Sequence, residues 1–101
     1  MGSISGAGEY SSSGYIGAAV VGSTVTLSFK HFETSAKAMP LSAILTINGN
    51  LKKRHIHLGS LAGDRDSFDL VVPEGTDISL FNTVVLQLAG TETAIGIASI
   101  P

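Results

Sequence analysis

Apolar and polar residues alternate with a period of two along most of the chain, which is typical of half-buried β-strands. In STVTLSFKHF, for example, Val25, Leu27 and Phe29 alternate with polar side chains. The same alternation recurs in SFDLVV and in TVVLQL, and the last apolar segment is TAIGIASI. Helical patterning is weak, because a proline interrupts HFETSAKAMPLS and TDISLFN could form only a single turn. The pattern therefore predicts strands with little helix.

Turn-forming residues separate these segments, as NGN at 48–50, GDRD at 63–66 and PEGT at 73–76. Short strands at this spacing indicate an all-β fold, a small antiparallel β-sandwich or barrel of about seven strands. We expect residues 14–101 to form this single domain. Residues 1–13 are rich in glycine and serine and lack an apolar period, so we expect them to be a flexible lead-in without stable structure.

The composition is unusually poor in charge. Charged residues make up 14% of the chain, against roughly 25% in an ordinary soluble domain. This favours a surface covered by partners or by copies of the chain, although a surface of Ser, Thr, Asn and Gly explains it equally well. The formal net charge of −2 argues against a dedicated nucleic-acid binder. The absence of cysteine excludes disulfides and thiolate chemistry, and no apolar run reaches the roughly 18 residues of a membrane span.

The stretch LKKRHIHLGSL contains two histidines at a spacing of two. After a hairpin turn at 48–50, a regular strand would place Lys53, His55 and His57 on one face. The two imidazoles could chelate a transition metal, but a complete site needs further ligands and the adjacent lysine repels a cation. His31 is the remaining histidine, and no spacing rule links it to the pair. We therefore expect no metal site and a polar strand face, with His55 and His57 as weak candidates.

The same stretch contains three consecutive cations, Lys52, Lys53 and Arg54. In a regular strand they point alternately to opposite faces, and no aromatic residue lies among them to stack on a base, so we do not expect nucleic-acid binding. We expect them instead to take part in an interaction with acidic groups, within the domain or between copies. The acidic neighbours are Asp64, Asp66, Asp69, Glu74 and Asp77.

The segment TVVLQL is apolar on both sides at its start. Val84, Leu86 and Leu88 share one face, while Val85 points to the other. Burial on both sides marks a central strand or a strand that faces a partner. We expect Val85 to lie at a contact between chains, the alternative being burial inside the domain.

No catalytic motif is present: the chain has no G-x-S-x-G elbow, no P-loop and no H-E-x-x-H sequence. We therefore expect a protein that is not an enzyme and that uses no cofactor. A metal-dependent enzyme built on His55 and His57 is the weakest of the functional hypotheses.

The second half of the chain contains a series of motifs: LGSLAG at 58–63, a strand that starts at Phe68, PEGTDI at 73–78, TVVL at 83–86 and GIA at 96–98. This series resembles a DM13 domain, which combines an L-G-x-L-x-G opening, a strand that starts at an aromatic residue, a P-x-G-x-D turn, a T-V-V strand and a closing G-x-A strand. Residues 22–27 with Phe32, Thr34 and Ser35 resemble the first half of that domain, so the similarity extends over residues from about 15 to 100.

The resemblance implies a small extracytoplasmic β-sandwich module. A redox role has been proposed for members with a cysteine near the end of the T-V-V strand. The matching residue here is Leu88, and the chain contains no cysteine, so we do not expect thiol-based electron transfer. The resemblance then implies a scaffold with a binding role.

The expected function is that of a non-catalytic all-β binding or interaction module, extracytoplasmic or on the cell surface. Its partner would be another protein or copies of itself, and we expect a homo-oligomer. The alternative is a self-assembling structural subunit, such as a filament, coat or surface-layer component. Low charge, a strand that is apolar on both sides and a Gly/Ser lead-in suited to strand exchange favour this alternative.

Overall fold

The chain folds into one antiparallel sheet that curls into a nearly closed barrel. The computed structural model describes residues 2–36, 39–62, 64 and 66–100. The strands are β1 (Gly2–Gly6), β2 (Ser12–Val21), β3 (Thr24–Thr34), β4 (Pro40–Ile47), β5 (Asn50–Ala62), β6 (Phe68–Val72), β7 (Thr83–Leu88) and β8 (Ala94–Ser99). Their order in the sheet is β5-β4-β7-β8-β1-β2-β3-β6. The two outermost strands, β5 and β6, contact each other. The prediction of a small all-β barrel or sandwich is confirmed.

Alternate side chains of the strands fill the barrel interior, as the period of two predicts. Leu27 and Phe29 on β3 are both 0% exposed. The ring of Phe29 stacks on that of Phe68 on β6, with 4.6 Å between centroids. Burial of each such side chain stabilises the fold by about 1.5–3 kcal/mol. The other strands add Ile4, Ile16, Leu41, Leu45, Val72, Val84, Leu86, Ile95 and Ala98, with Ile56 and Leu58 of β5 packed against them.

The first strand differs from the expected flexible lead-in over residues 1–13. β1 lies between β2 and β8 and places Ile4 opposite Ala98. Its glycines permit this position, because a Cβ built at Gly6 would lie 2.5 Å from the carbonyl oxygen of Tyr10. The glycines that suggested a flexible linker are therefore the residues that let β1 pack closely against its neighbours. The boundary expected between residues 13 and 14 falls inside β2.

Bulges bend the strands so that the sheet can curl. One lies between β2 and β3, where the register shifts next to Gly14 and His31. Gly14 has a φ of 132°, and a Cβ there would lie 2.9 Å from the carbonyl oxygens of Lys30 and His31. Two further shifts interrupt the pairing of β4 with β5. The second of these shapes the candidate site described below.

A short 3₁₀ turn, Ile78–Leu80, is the helical element of the described residues. Asp77 caps it and accepts a hydrogen bond from the backbone N–H of Ser79 at 3.1 Å. The single turn that the segment TDISLFN could form is therefore present. Within the described ranges, no helix is long and apolar enough to cross a membrane.

Candidate functional site

The strand that carries the cations and the histidines begins with an irregular segment. The expected turn is present, with Asn48 and Gly49 both at positive φ, 55° and 77°. Beyond it, Ile47 pairs with Asn50, but the next pair is Thr46 with His55. Residues 51–54 are therefore not paired with any residue of β4. We call them the β5 bulge. The sequence pattern missed it, because a period of two assumes an unbroken ladder.

The three cations lie in the β5 bulge and are all exposed. Lys52, Lys53 and Arg54 share this exposure despite their consecutive positions. Exposure alone does not test the expected alternation between opposite faces, which stays a prediction. Among the acids, Asp66 accepts from the hydroxyl of Ser67 at 3.3 Å. Interaction of the cations with acidic groups stays a prediction.

His55 and His57 follow the bulge and lie side by side, as their spacing predicts. Their ring centroids are 5.9 Å apart. Nδ1 of His55 lies 2.9 Å from the carbonyl oxygen of Lys53, which fixes the ring. Within residues 2–36, 39–62, 64 and 66–100, no group of three or more His, Cys, Asp or Glu side chains is placed to hold a metal ion. His31 lies elsewhere, beside Tyr15, with 6.3 Å between their ring centroids.

The two histidines line a cavity on the outer side of the barrel, which we call the outer cavity. Its volume is about 330 Å³. Strands β4, β5 and β7 and the loop between β7 and β8 form its walls. The lining residues are Ser42, Ile44, Leu51, His55, His57, Gln87, Gly90, Thr91 and Glu92.

Gln87 is one of the lining residues that sequence reasoning missed. It is 5% exposed and lies opposite Ser42 in the ladder between β4 and β7. It lines the cavity, and no polar side-chain atom of the described residues is both buried and unpaired. The signal was present in TVVLQL, where one polar residue follows Val85 on the same side of a strand that is otherwise apolar.

Val85 lies beneath the same outer side and is 2% exposed within a single chain. Its cross-strand neighbours are Ile44 on β4 and Ile97 on β8. The chain itself therefore covers Val85, and the expectation that a neighbouring chain is needed for this is wrong. The alternative, burial inside the domain, is the observed one.

A second surface with functional potential lies on β2. β1 pairs with β2 at Gly2–Ile16 and Ser3–Tyr15, whereas β2 continues to Val21. Residues 18–21, with the sequence AAVV, pair with β3 on one side and have no ladder partner on the other side among the described residues. We call this segment the β2 edge. Val20 and Val21 in it are 67% and 77% exposed.

The strands beside the β2 edge also expose an apolar residue. Ala19 lies opposite Thr26 on β3, and Thr26 lies opposite Val71 on β6. Val71 is 57% exposed. By strand alternation Val21 and Val71 fall on the same face of the sheet as Ala19 and Thr26, whereas Val20 points to the other face. Exposed apolar residues that share a face mark interaction sites more often than isolated ones do.

No relative explains either surface. Neither a family model, nor a curated protein, nor a solved structure matches this chain. The geometry of the outer cavity and of the β2 edge therefore provides the support for a function.

Proposed function

We propose that this chain is a non-catalytic interaction module that binds a partner protein by adding a strand to the β2 edge. The observation that supports this most directly is the ladder itself, in which residues 18–21 have no partner on one side among residues 2–36, 39–62, 64 and 66–100. An unpaired strand edge presents backbone N–H and C=O groups that another chain can satisfy. Strand addition obtains affinity from these main-chain hydrogen bonds and specificity from alternate side chains.

The chemistry of the edge specifies the partner segment. Residues 18–21 are alanines and valines, with no charge. Native proteins usually protect an edge with lysine or proline, and neither is present in the segment. The expected partner is therefore an extended, uncharged, apolar stretch. The resemblance to DM13 domains, which rests on the quoted motifs, adds the proposal that the module acts outside the cytoplasm or on the cell surface.

A self-assembling structural subunit is the second candidate, and the same edge favours it. Two copies could pair antiparallel through their β2 edges about a twofold axis, because such a contact uses one patch twice. The uncharged segment would bring no like charges together, and only 14% of the chain is charged. Val85 no longer supports this candidate, because it is covered within one chain.

One experiment separates the two candidates. A synthetic peptide with the β2 sequence GYIGAAVV is titrated into the purified chain, and light scattering measures the molar mass of the chain alone over a range of concentrations. The module predicts a monomer that binds the peptide. Self-assembly predicts a mass that grows with concentration. A chain that stays monomeric and does not bind the peptide would contradict both candidate functions.

Two matched variants locate the contact. Val21→Lys places a charge on the β2 edge and should abolish peptide binding or self-association, without loss of fold, because Val21 is 77% exposed. Leu80→Lys is the control, since Leu80 is also exposed (45%) but lies on the 3₁₀ turn. Equal effects of the two changes would show that general surface hydrophobicity, and not the edge, is responsible.

A further inference from the structure

The outer cavity combines an apolar floor with polar walls. Ile44 is 2% exposed and provides apolar surface from β4, and Leu51 adds more from the β5 bulge. Polar groups converge on this surface from separate elements, Gln87 from β7, His55 from β5 and Glu92 from the loop after β7. A concave site with apolar surface and a few convergent polar groups is the usual form of a small-ligand site.

Gln87 is the polar residue that β7 contributes to the outer cavity. It is 5% exposed and lines the cavity, and none of its side-chain atoms is both buried and unpaired. Its amide offers two N–H donors and an acceptor oxygen. An occupant of the cavity could therefore exchange hydrogen bonds with this amide in place of solvent.

The remaining polar groups are mainly acceptors. Nδ1 of His55 lies 2.9 Å from a carbonyl oxygen, which can only accept, so this nitrogen carries the proton. In the neutral ring, Nε2 is then left as an acceptor. The carboxylate of Glu92 accepts as well. Thr91 is already engaged, since its hydroxyl donates to the carbonyl of Leu88 at 2.8 Å and accepts from the N–H of Thr93 at 3.1 Å.

The charges around the cavity disfavour an ionic occupant of either sign. Glu92 lines the cavity and would repel an anion. Lys52, Lys53 and Arg54 lie between Leu51 and His55, both of which line it, and would repel a cation. A neutral molecule is repelled by neither set of charges. To match the acceptors it must carry several donors, and to satisfy the amide of Gln87 it must also accept.

We propose that the outer cavity binds a small neutral polyhydroxylated ligand, such as one monosaccharide unit of a glycan. Hydroxyl groups both donate and accept, so they match Gln87, His55 and Glu92 together. The C–H surface of a sugar ring would lie over Ile44 and Leu51. The cavity volume of about 330 Å³ is at the lower end of the range for small-ligand sites. This site is separate from the β2 edge and does not depend on the function proposed there.

The test is a nuclear magnetic resonance titration of the whole chain with free glucose, galactose, mannose and N-acetylglucosamine, one at a time. An open cavity of this kind should bind with a Kd on the order of 1 mM, so each sugar is added to roughly 50 mM. The expected result is a saturable shift of the side-chain amide signals of Gln87 and of the ring signals of His55 and His57. A zinc titration without sugar runs in parallel.

Three variants establish the contacts. Gln87→Met keeps the size of the side chain and removes the amide, and should weaken sugar binding by about tenfold or more. Glu92→Gln should also weaken it, whereas Glu74→Gln, at an exposed position in the turn after β6, should not. If Gln87→Met fails to fold, the two glutamate variants still decide the matter. Sugars that shift no cavity signal, shifts confined to other surfaces, or saturable binding of zinc alone would each overturn the proposal.

Discussion

Val85 and Ile44 lie directly opposite each other on β7 and β4, and both are 2% exposed although neither belongs to the barrel interior. The interior contains their strand neighbours, such as Val84 and Leu45, which point the other way. The two central strands are thus buried on both sides within a single chain. The outer cavity lies over the same side of β4 and β7, with Ile44 in its lining.

Burial of Val85 within the chain predicts the outcome of a charge substitution. Val85→Lys should prevent folding, because the buried ammonium would have no partner and the cost is several kcal/mol. Val71→Lys is the matched control, since Val71 is 57% exposed and should tolerate the change. Thermal melts followed by circular dichroism measure both. If Val85→Lys folds and its only change is a smaller molar mass, then Val85 lies at a contact between chains after all.

Leu86 tests the barrel interior from the same strand. It is 0% exposed and belongs to the main core cluster. Leu86→Ala should lower the free energy of unfolding by about 2–5 kcal/mol, because the vacated volume is only partly refilled. Urea denaturation compares this variant with the unaltered chain. A loss below about 1 kcal/mol would be outside that range and would contradict the packing described for β7.

The place of β1 in the sheet predicts contrasting effects at two glycines. Gly6→Ala would place a Cβ 2.5 Å from the backbone oxygen of Tyr10, so the backbone must shift. We expect a loss of about 1–3 kcal/mol in the free energy of unfolding, as for other overpacked positions. Gly17→Ala is the control, because a Cβ there meets nothing within 4 Å. Equal stability of the two variants in urea would mean that β1 is not docked, as first expected for residues 1–13.

The two exposed histidines should matter little to stability. The double change His55→Ala and His57→Ala is expected to alter the free energy of unfolding by no more than about 0.5 kcal/mol, as at most surface positions. It should leave the fold intact while removing ring contacts from the outer cavity. Melting curves measure the first effect. Calorimetry with zinc provides the check, and binding tighter than roughly micromolar that disappears in the double variant would reveal a metal site after all.

Much of the fold follows from local pattern. The alternation around Leu27 and Phe29 predicted which residues of β3 face the interior, and the Asn48–Gly49 pair predicted a hairpin turn. What failed depends on contacts between distant parts of the chain. β1 is held by β8, which lies at the far end of the sequence. Composition alone cannot show such a pairing.

The candidate sites were harder to predict for a related reason. A period of two says which side of a strand Val85 occupies, but not what covers that side. The β5 bulge interrupts the ladder, and its three cations are each exposed. Gln87 becomes part of a cavity only because β4, β5 and the loop after β7 surround it. The β2 edge is likewise not apparent in the sequence, because it depends on the register of β1 against β2.

Hydrogen exchange of the backbone amides at residues 18–21 tests the proposed use of the β2 edge most directly. In the dilute free chain, the amides directed away from β3 have no ladder partner among the described residues and should exchange rapidly. Adding the GYIGAAVV peptide should protect them, while a peptide with proline in place of the second alanine should not. Protection that appears with rising chain concentration alone would favour self-assembly. Amides that are already protected at low concentration, or that stay unprotected with peptide and at every concentration, would contradict the account.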